Sequence, residues 1–206
     1  MDLRLNRNLR QRRDLDVEIE VSAVGGSDVK PWEDQDMSEE EATSYRAVLA
    51  RCNFLSIDRP DLMYASKECS RQMSRPTNGA WAAMKRIGRY LLSKPRMVHV
   101  FQWQDMPTTL TAFSDSNWAG CKRTRKSTSG SCFMHGSDLI KAQSKTQSNI
   151  ALSSGEAEFY SMVYATSEAL GLKAMLVDYS VTMNPWLYVD ASAAIGVAQR
   201  SGLGKI

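Results

Sequence analysis

The hydrophobic pattern of the chain changes at Pro95, and no other feature constrains the fold as strongly. Before this point, apolar residues recur at helical spacing, as in the i, i+3, i+4, i+7 stripe of Tyr45, Val48, Leu49 and Cys52. After it, short apolar runs lie between turn residues, which is typical of strands. The pattern therefore predicts an all-helical segment followed by a part that combines strands and helices.

Capping and turn residues indicate where the elements begin and end. The predicted helices of the first part begin near Ser38, near Pro60 and near Asn78. The later elements are strands at 98–103 and 110–114, a hairpin at 130–143, a helix at 155–179, a strand at 186–189, and a last helix from Ala191 that stops before Gly202 and Gly204. A further short strand is predicted for 17–24. The expected domains are 1–37, a poorly ordered linker or fragment edge; 38–95, a helical segment; and 96–206, an α/β domain.

Composition excludes several classes of protein. Hydrophobic residues make up 43% of the 206 residues, which is enough for a core and argues against general disorder. The four cysteines are widely spaced and only two histidines accompany them, so a zinc site is not expected. Neither a signal-type region nor a membrane-length apolar run is present. The net charge of +3 is too small to prove a nucleic-acid partner, and charge alone favours a solvated loop over a phosphate-binding loop for the basic stretch 122–126.

Three carboxylates occupy positions that suit a metal site. Asp115 and Asp190 each follow an apolar strand, and Glu158 lies near the start of the predicted long helix. Such positions can meet in space, and the resulting acidic cluster would favour a hard cation such as Mg²⁺ or Mn²⁺. The residues alone leave a second interpretation open, in which the two aspartates are turn or N-cap acids.

The two acids of the helix start are predicted to have different roles. Ser153 and Glu156 have capping-box spacing, so Glu156 is expected to accept a hydrogen bond from a backbone N–H at the helix start. Glu158 points roughly 200° away around the helix and has no such structural duty. We therefore assign chemistry to Glu158 and capping to Glu156, although both acids also fit an exposed helix surface.

A series of strings stands in fixed order along residues 44–206: YRAVL at 45–49, RPDLMYA at 59–65, AMKRIGRYL at 83–91, SDSNWAG at 114–120, RKSTSG at 125–130, ALSSGEAEFY at 151–160 and DASAAI at 190–195. In this order they resemble the C-terminal part of a copia-type retrotransposon polyprotein, including its ribonuclease H domain. The resemblance implies an α/β fold with a ribonuclease H-like mixed sheet and flanking helices, preceded by a small helical segment that resembles the reverse transcriptase connection region.

The resemblance also implies an activity and a site. The activity is metal-dependent hydrolysis of the RNA strand of an RNA–DNA hybrid by a reverse transcriptase polyprotein. Two Mg²⁺ or Mn²⁺ ions are expected, with Asp115 bridging them, Glu158 holding one and Asp190 the other. The expected partners are the hybrid and the remainder of the polyprotein, without a membrane. The expected phosphate contacts are Arg123, Arg125 and Lys126, together with Lys85, Arg86 and Arg89 on the helical segment.

The chain departs from the family pattern in two ways. A fourth acid normally follows the segment that matches 202–206, so the expected domain lacks its last element and its fourth ligand. The loop after Gly120 is basic where the family usually carries acids. The alternative function is therefore an inactive remnant that acts as a structural or nucleic-acid-binding module, and whether the isolated chain is an enzyme stays open. We expect weak or no cleavage and an intracellular location in a cytoplasmic particle or the nucleus. Trp118 is expected to pack in the core beside the site rather than to stack on a base.

Overall fold

The computed structural model describes residues 5–6 and 35–200. The described residues form two compact units, one of residues 35–99 and one of residues 100–200 together with 5–6. The strand predicted at 17–24 lies outside the described residues, as do Gly202 and Gly204. The last helix ends at Ala198, so the prediction that these glycines stop it is wrong.

Three helices build the first unit: α1 (Glu39–Leu55), α2 (Pro60–Ser70) and α3 (Asn78–Ser93). The sequence forms them where predicted because each has a start signal. Ser38 and Glu41 exchange capping-box hydrogen bonds before α1, and Thr77 accepts from the backbone N–H of Ala80 at 3.3 Å before α3. Pro60 begins α2, where its missing N–H costs nothing.

The core of the helical unit lies between the inner faces of the three helices. The predicted stripe of α1 faces it: Tyr45 and Leu49 are fully buried and Cys52 is nearly so. The principal partners from the other helices are Leu62, Ala65, Cys69, Met84 and Ile87. The hydroxyl of Tyr45 donates to the backbone carbonyl of Cys69 at 2.8 Å, which leaves the only polar atom of this buried ring satisfied.

A mixed five-stranded sheet forms the centre of the second unit. Its strands are β1 (Leu5–Asn6), β2 (Thr109–Asn117), β3 (Thr128–His135), β4 (Asp138–Thr146) and β5 (Asn184–Val189), and their order across the sheet is β1-β5-β2-β3-β4. β2, β3 and β4 run antiparallel, whereas β5 runs parallel to both β2 and β1. The predicted mixed sheet is thus confirmed, including the hairpin turn, where Gly136 adopts the left-handed conformation with φ of 62°.

Two helices pack against this sheet: α4 (Ser154–Asp178) and the short α5 (Ser192–Ala198). Small side chains on the buried face of α4, such as Ala165 and Ala169, let the helix backbone approach the strands closely. The helix and the strands share one apolar core that includes Leu110, Ala112 and Leu187. This packing fixes the start of α4 beside the ends of β2 and β5.

The strand predicted at 98–103 is wrong. These residues belong to no strand, and Val98, Val100, Phe101 and Trp103 are 65–96% exposed. An alternating pattern favours the extended conformation, but a strand also needs a neighbour that satisfies its backbone groups. β2, the next strand along the chain, already pairs on both sides, with β3 and β5.

Candidate metal centre

Asp115 and Asp190 lie at the same edge of the sheet. β2 and β5 are parallel neighbours, and their register pairs Ser114 with Val189, so the next residue on each chain segment is an aspartate. Asp190 directly follows β5, as predicted. Asp115 lies two residues before the end of β2 and not at its last residue, because β2 continues to Asn117. Both aspartates retain solvent-exposed surface, although the carboxyl group of Asp115 is partly buried.

Glu158 projects from the second turn of α4 towards this edge, with a side chain that is only 9% exposed. Its Oε1 accepts hydrogen bonds from the backbone N–H and the hydroxyl of Ser116, at 3.1 and 2.7 Å. Its Oε2 is buried and has no hydrogen-bond partner in the part of the chain that the structure describes. A buried carboxylate oxygen without a partner is costly, and this cost would be removed by a cation.

Glu156 has the capping role that its spacing predicts. The hydroxyl of Ser153 accepts from the N–H of Glu156 at 3.1 Å, and Oε2 of Glu156 accepts from the N–H of Leu152 at 2.7 Å. Oε1 of Glu156 also accepts from the hydroxyl of Tyr160 at 3.0 Å. Both carboxylate oxygens are therefore engaged at the helix start, which separates this acid from Glu158.

The three candidate ligands meet in space. One carboxylate oxygen each from Asp115, Glu158 and Asp190 lies within 4.8 Å of the other two, and among the described residues this is the only such group of potential metal ligands. Each group offers hard oxygen donors, which fit Mg²⁺ or Mn²⁺. The oxygen chemistry and the buried Oε2 of Glu158 together show that these residues fit the expected ions.

The electrostatics of the cluster also suit a cation. Burial raises the pKa of Asp115 above its ordinary value; a hydrogen bond from Ser116 partly opposes this effect, and the charge of Asp190 adds to it. Burial likewise raises the pKa of Glu158, against the hydrogen bonds from Ser116 and with the charges of Asp115 and Asp190. The ionised carboxylates thus repel one another in a partly dehydrated setting, and a divalent ion would reverse this penalty.

Sequence reasoning missed three serines that hold the cluster in place. Ser116 fixes one oxygen of Glu158, as described above. Ser161, one turn further along α4, donates to the backbone carbonyl of Asp115 at 2.7 Å and accepts from the hydroxyl of Ser114 at 2.9 Å. Ser114 and Ser161 are both buried. The sequence does carry a signal for them: Ser114 and Ser116 flank Asp115, and Ser161 lies one helical turn after Glu158. A serine on a buried helix face needs a hydrogen-bond partner.

The predicted phosphate contacts fall on two separate units. Arg123 and Arg125 are exposed and Lys126 is half-buried on the loop between β2 and β3, within the unit that carries the carboxylates. Lys85, Arg86 and Arg89 lie on α3 of the helical unit, where Lys85 and Arg89 are exposed and Arg86 is half-buried. The structure thus brings the three carboxylates together. Of the two basic sets, Arg123, Arg125 and Lys126 lie on the loop that follows β2, the strand that carries Asp115.

The core position expected for Trp118 is wrong. Its side chain is 46% exposed, and its indole N–H donates to the backbone carbonyl of Ala151 at 3.0 Å. β2 ends at Asn117, one residue earlier, so Trp118 lies in the turn beyond the sheet and not over its apolar face.

These features define a ribonuclease H-like α/β protein: a mixed sheet with this strand order, a long helix packed against it, and three acids that converge at one edge. Comparison with known proteins identifies the family. The chain belongs to the Pol polyprotein family of copia-type retrotransposons.

Three relatives illustrate the match. The chain is 33% identical over 152 residues to the retrovirus-related Pol polyprotein from transposon RE2 of Arabidopsis thaliana, covering 73% of this chain and 10% of the relative. It is 31% identical over 144 residues to the Pol polyprotein from transposon TNT 1-94 of Nicotiana tabacum, covering 69% of this chain and 11% of the relative. It is also 36% identical over 127 residues to the secreted RxLR effector protein 161 of Plasmopara viticola, covering 61% of this chain and 88% of that protein.

The chain thus spans about a tenth of the length of its Pol polyprotein relatives. No protein-family model matches the chain, and no solved structure matches it significantly. Among the helices of the described residues, none has the combination of length and apolar character that a membrane span requires.

Proposed function

We propose that the α/β unit is a metal-dependent ribonuclease H, which hydrolyses the RNA strand of RNA–DNA hybrids as part of a retrotransposon reverse transcriptase. One observation carries the proposal: Asp115, Glu158 and Asp190 bring carboxylate oxygens within 4.8 Å of one another at one edge of a ribonuclease H-like sheet. The buried Oε2 of Glu158, which lacks a hydrogen-bond partner within the described residues, supports a cation at this place.

The chain's own residues fix the geometry of the site. Asp115, Glu158 and Asp190 would hold two Mg²⁺ or Mn²⁺ ions, which when bound supply an activated water and stabilise the leaving oxygen. Ser116 holds Oε1 of Glu158 by two hydrogen bonds and so fixes the orientation of this carboxylate. Ser161 holds the backbone of Asp115 and so couples the position of α4 to that of β2. Such preorganisation means that little reorganisation is needed when the phosphate arrives.

Charge near the site supports a nucleic-acid substrate. The loop between β2 and β3 carries Lys122, Arg123, Arg125 and Lys126, and the first of these lies five residues after the end of β2, close to Asp115 in the chain. Phosphate contacts of this kind bind without reading the base sequence, and the 2′-hydroxyls of the RNA strand would distinguish a hybrid from DNA. Lys85, Arg86 and Arg89 of α3 are further candidates for phosphate contacts.

A second candidate is binding of the hybrid without cleavage. The basic loop 122–126 lies in the unit that carries the carboxylates, and phosphate contacts from such a loop would bind a hybrid whether or not it is cleaved. A binding module is the alternative that this observation favours.

Cleavage of a hybrid with a labelled RNA strand separates the two candidates. We expect slow cleavage in Mg²⁺ or Mn²⁺, none in chelator, and a loss of at least about a hundredfold in Asp115→Asn, since the cluster then lacks one charge. Glu156→Gln is the matched control, because this acid lies on the same helix but serves the helix start. Binding without cleavage in every metal would favour the binding module, and equal cleavage by Asp115→Asn would show that the site assignment is wrong.

A further inference from the structure

An exposed apolar surface lies on the two chain segments that carry Asp115 and Glu158. It consists of Trp118, Ile150 and Leu152 and is here called the ledge. Their side chains are 46%, 54% and 87% exposed. The indole N–H of Trp118 donates to the carbonyl of Ala151 at 3.0 Å, which holds the tryptophan beside the residues that flank Ala151. None of the three side chains serves either core cluster of the described residues.

The backbone beneath the ledge is ordered. Ala151 is only 4% exposed, and the N–H of Leu152 donates to Oε2 of Glu156 at 2.7 Å. The exposed side chain of Leu152 thus projects from a backbone that is hydrogen-bonded to the start of α4, and Trp118 is hydrogen-bonded to the same segment. Apolar side chains that are clustered and rigidly presented mark an interaction surface more strongly than single exposed ones do.

A cationic loop follows Trp118 directly in the chain. The loop is closed on itself, because the N–H of Ala119 donates to the hydroxyl of Ser127 at 3.0 Å and the N–H of Cys121 donates to the carbonyl of Lys126 at 3.2 Å. Four cationic side chains lie between these closing contacts: Lys122, Arg123, Arg125 and Lys126. An apolar surface with an adjacent cationic loop complements a nucleotide, whose sugar and base are flat or apolar and whose phosphate is anionic.

We propose that the ledge is a nucleoside-binding subsite for the bound hybrid, with Trp118 and Leu152 in contact with the base or sugar of one nucleotide. The proposal rests on the proposed function, since it takes the RNA–DNA hybrid as the ligand. An unpaired base would present its ring face to the indole, whereas a paired nucleotide would present its sugar at the groove. Trp118 thereby positions the strand and takes no part in bond breaking.

The test is hybrid binding by fluorescence anisotropy in chelator, so that no cleavage occurs. Two probes are used, a blunt RNA–DNA hybrid and the same hybrid with an unpaired RNA tail. Trp118→Leu and Leu152→Ser should each weaken binding to at least one probe, with about a tenfold loss for Trp118→Leu. Trp118→Phe, which keeps an aromatic ring but lacks the indole N–H, should retain most of the affinity.

Two controls make the test specific. Trp103→Leu removes another tryptophan of the same unit, one that is 96% exposed and lies away from the carboxylate segments in the chain, and it should leave binding unchanged. The slope of log affinity against log salt should stay the same in Trp118→Leu, because no phosphate contact is lost. Leu152→Ser addresses folding, since a side chain that is 87% exposed contributes little to stability.

Each outcome decides the proposal. A larger loss on the tailed hybrid supports an unpaired base in the subsite, and an equal loss on both hybrids supports the sugar of a paired nucleotide. Unchanged binding in both Trp118→Leu and Leu152→Ser would overturn the ledge proposal, leave the proposed function standing and point to a protein as the occupant. Failure of the unsubstituted chain to bind either hybrid would overturn the proposed function and the ledge with it.

Discussion

Ser161 of α4 donates a hydrogen bond to the backbone carbonyl of Asp115 in β2, with 2.7 Å between the two oxygens. This contact joins the helix that carries Glu158 to the strand that carries Asp115, so it sets the distance between two of the three candidate ligands. Ser114 extends the contact by donating to Ser161 at 2.9 Å, inside the protein. The geometry of the candidate metal site thus depends on how α4 packs against the sheet.

Ser161→Ala should lower the free energy of unfolding by about 1–3 kcal/mol, because the hydroxyl of Ser114 and the carbonyl of Asp115 would lose a buried partner. Chemical denaturation measures this change. Ser167→Ala is the matched control on the same helix, since Ser167 is exposed and its substitution should cost less than about 0.5 kcal/mol. Equal effects of the two substitutions would contradict the positioning role of Ser161.

Glu158→Gln should stabilise the chain in chelator, because it removes a charge from a buried, repulsive cluster. A gain of about 1 kcal/mol would raise the melting temperature of a chain of this length by about 2–4 °C. Glu156→Gln should have the opposite effect, since it weakens the hydrogen bonds to Leu152 and Tyr160 at the helix start. A lower melting temperature for both variants would mean that Glu158 has a structural role like that of Glu156.

The buried ion pair of the helical unit predicts a dependence of stability on pH. Nε of Arg59 donates to Oδ1 of Asp61 at 3.0 Å, a second guanidinium nitrogen donates to Oδ2 at 2.7 Å, and the hydroxyl of Tyr90 donates to Oδ2 at 2.8 Å. Burial by itself raises the pKa of Asp61, but the hydrogen bonds from Arg59 and Tyr90 outweigh it, so the pKa lies below its ordinary value. The pair links the start of α2 to α3.

The sign of this effect follows from the direction of the shift. Because the folded state lowers the pKa of Asp61, the stabilisation is present above the unfolded value of about 3.9 and is lost as the pH falls through the folded pKa. Asp61→Ala should cost about 3–5 kcal/mol at neutral pH, since Arg59 would remain buried without its partner. Urea denaturation between acid and neutral pH measures the pH dependence of stability in the unsubstituted chain and in Asp61→Ala. Asp58→Asn, at an exposed position, is the control. If Asp61→Ala kept the pH dependence of the unsubstituted chain, the assignment of this dependence to Asp61 would be contradicted.

The basic loop predicts a dependence of binding on salt. Arg125→Gln should weaken hybrid binding and reduce the slope of log affinity against log salt by about 1, because one phosphate contact is lost. Anisotropy titrations over a range of salt concentrations measure the slope. Lys173→Gln, at a half-buried position in the second half of α4, is a charge-matched control that should leave the slope unchanged. If both variants lose the same slope, the loop has no specific role.

Several features of the fold could be predicted from the sequence because local signals and tertiary packing agree. The start of α1 at Ser38 and the start of α4 after Ser153 could be predicted from capping residues. The hairpin turn could be predicted because Gly136 adopts the left-handed conformation at little cost. The grouping of Asp115, Glu158 and Asp190 required the family resemblance in addition, because periodicity alone left each aspartate open to a capping role.

Other features depend on tertiary context that the sequence does not carry. The alternating residues 98–103 are typical of a strand, but the neighbouring β2 has no unpaired edge to receive them. Trp118 was expected in the core because tryptophan is generally buried, whereas β2 ends one residue before it. The hydrogen bond from Ser161 to Asp115 depends on the rotation of α4 about its own axis, which a pattern of apolar residues defines only coarsely.

The most direct test of the metal site is the change in melting temperature on addition of Mn²⁺ to the unsubstituted chain and to Asp115→Asn. A ligand that binds only the folded state stabilises it, by about 2.7 kcal/mol at a hundred times its dissociation constant. We predict that Mn²⁺ raises the melting temperature of the unsubstituted chain and of Glu156→Gln by several degrees, and that Asp115→Asn loses this rise. A rise of equal size in Asp115→Asn, or no rise in the unsubstituted chain, would contradict the assignment of Asp115, Glu158 and Asp190 as the metal ligands.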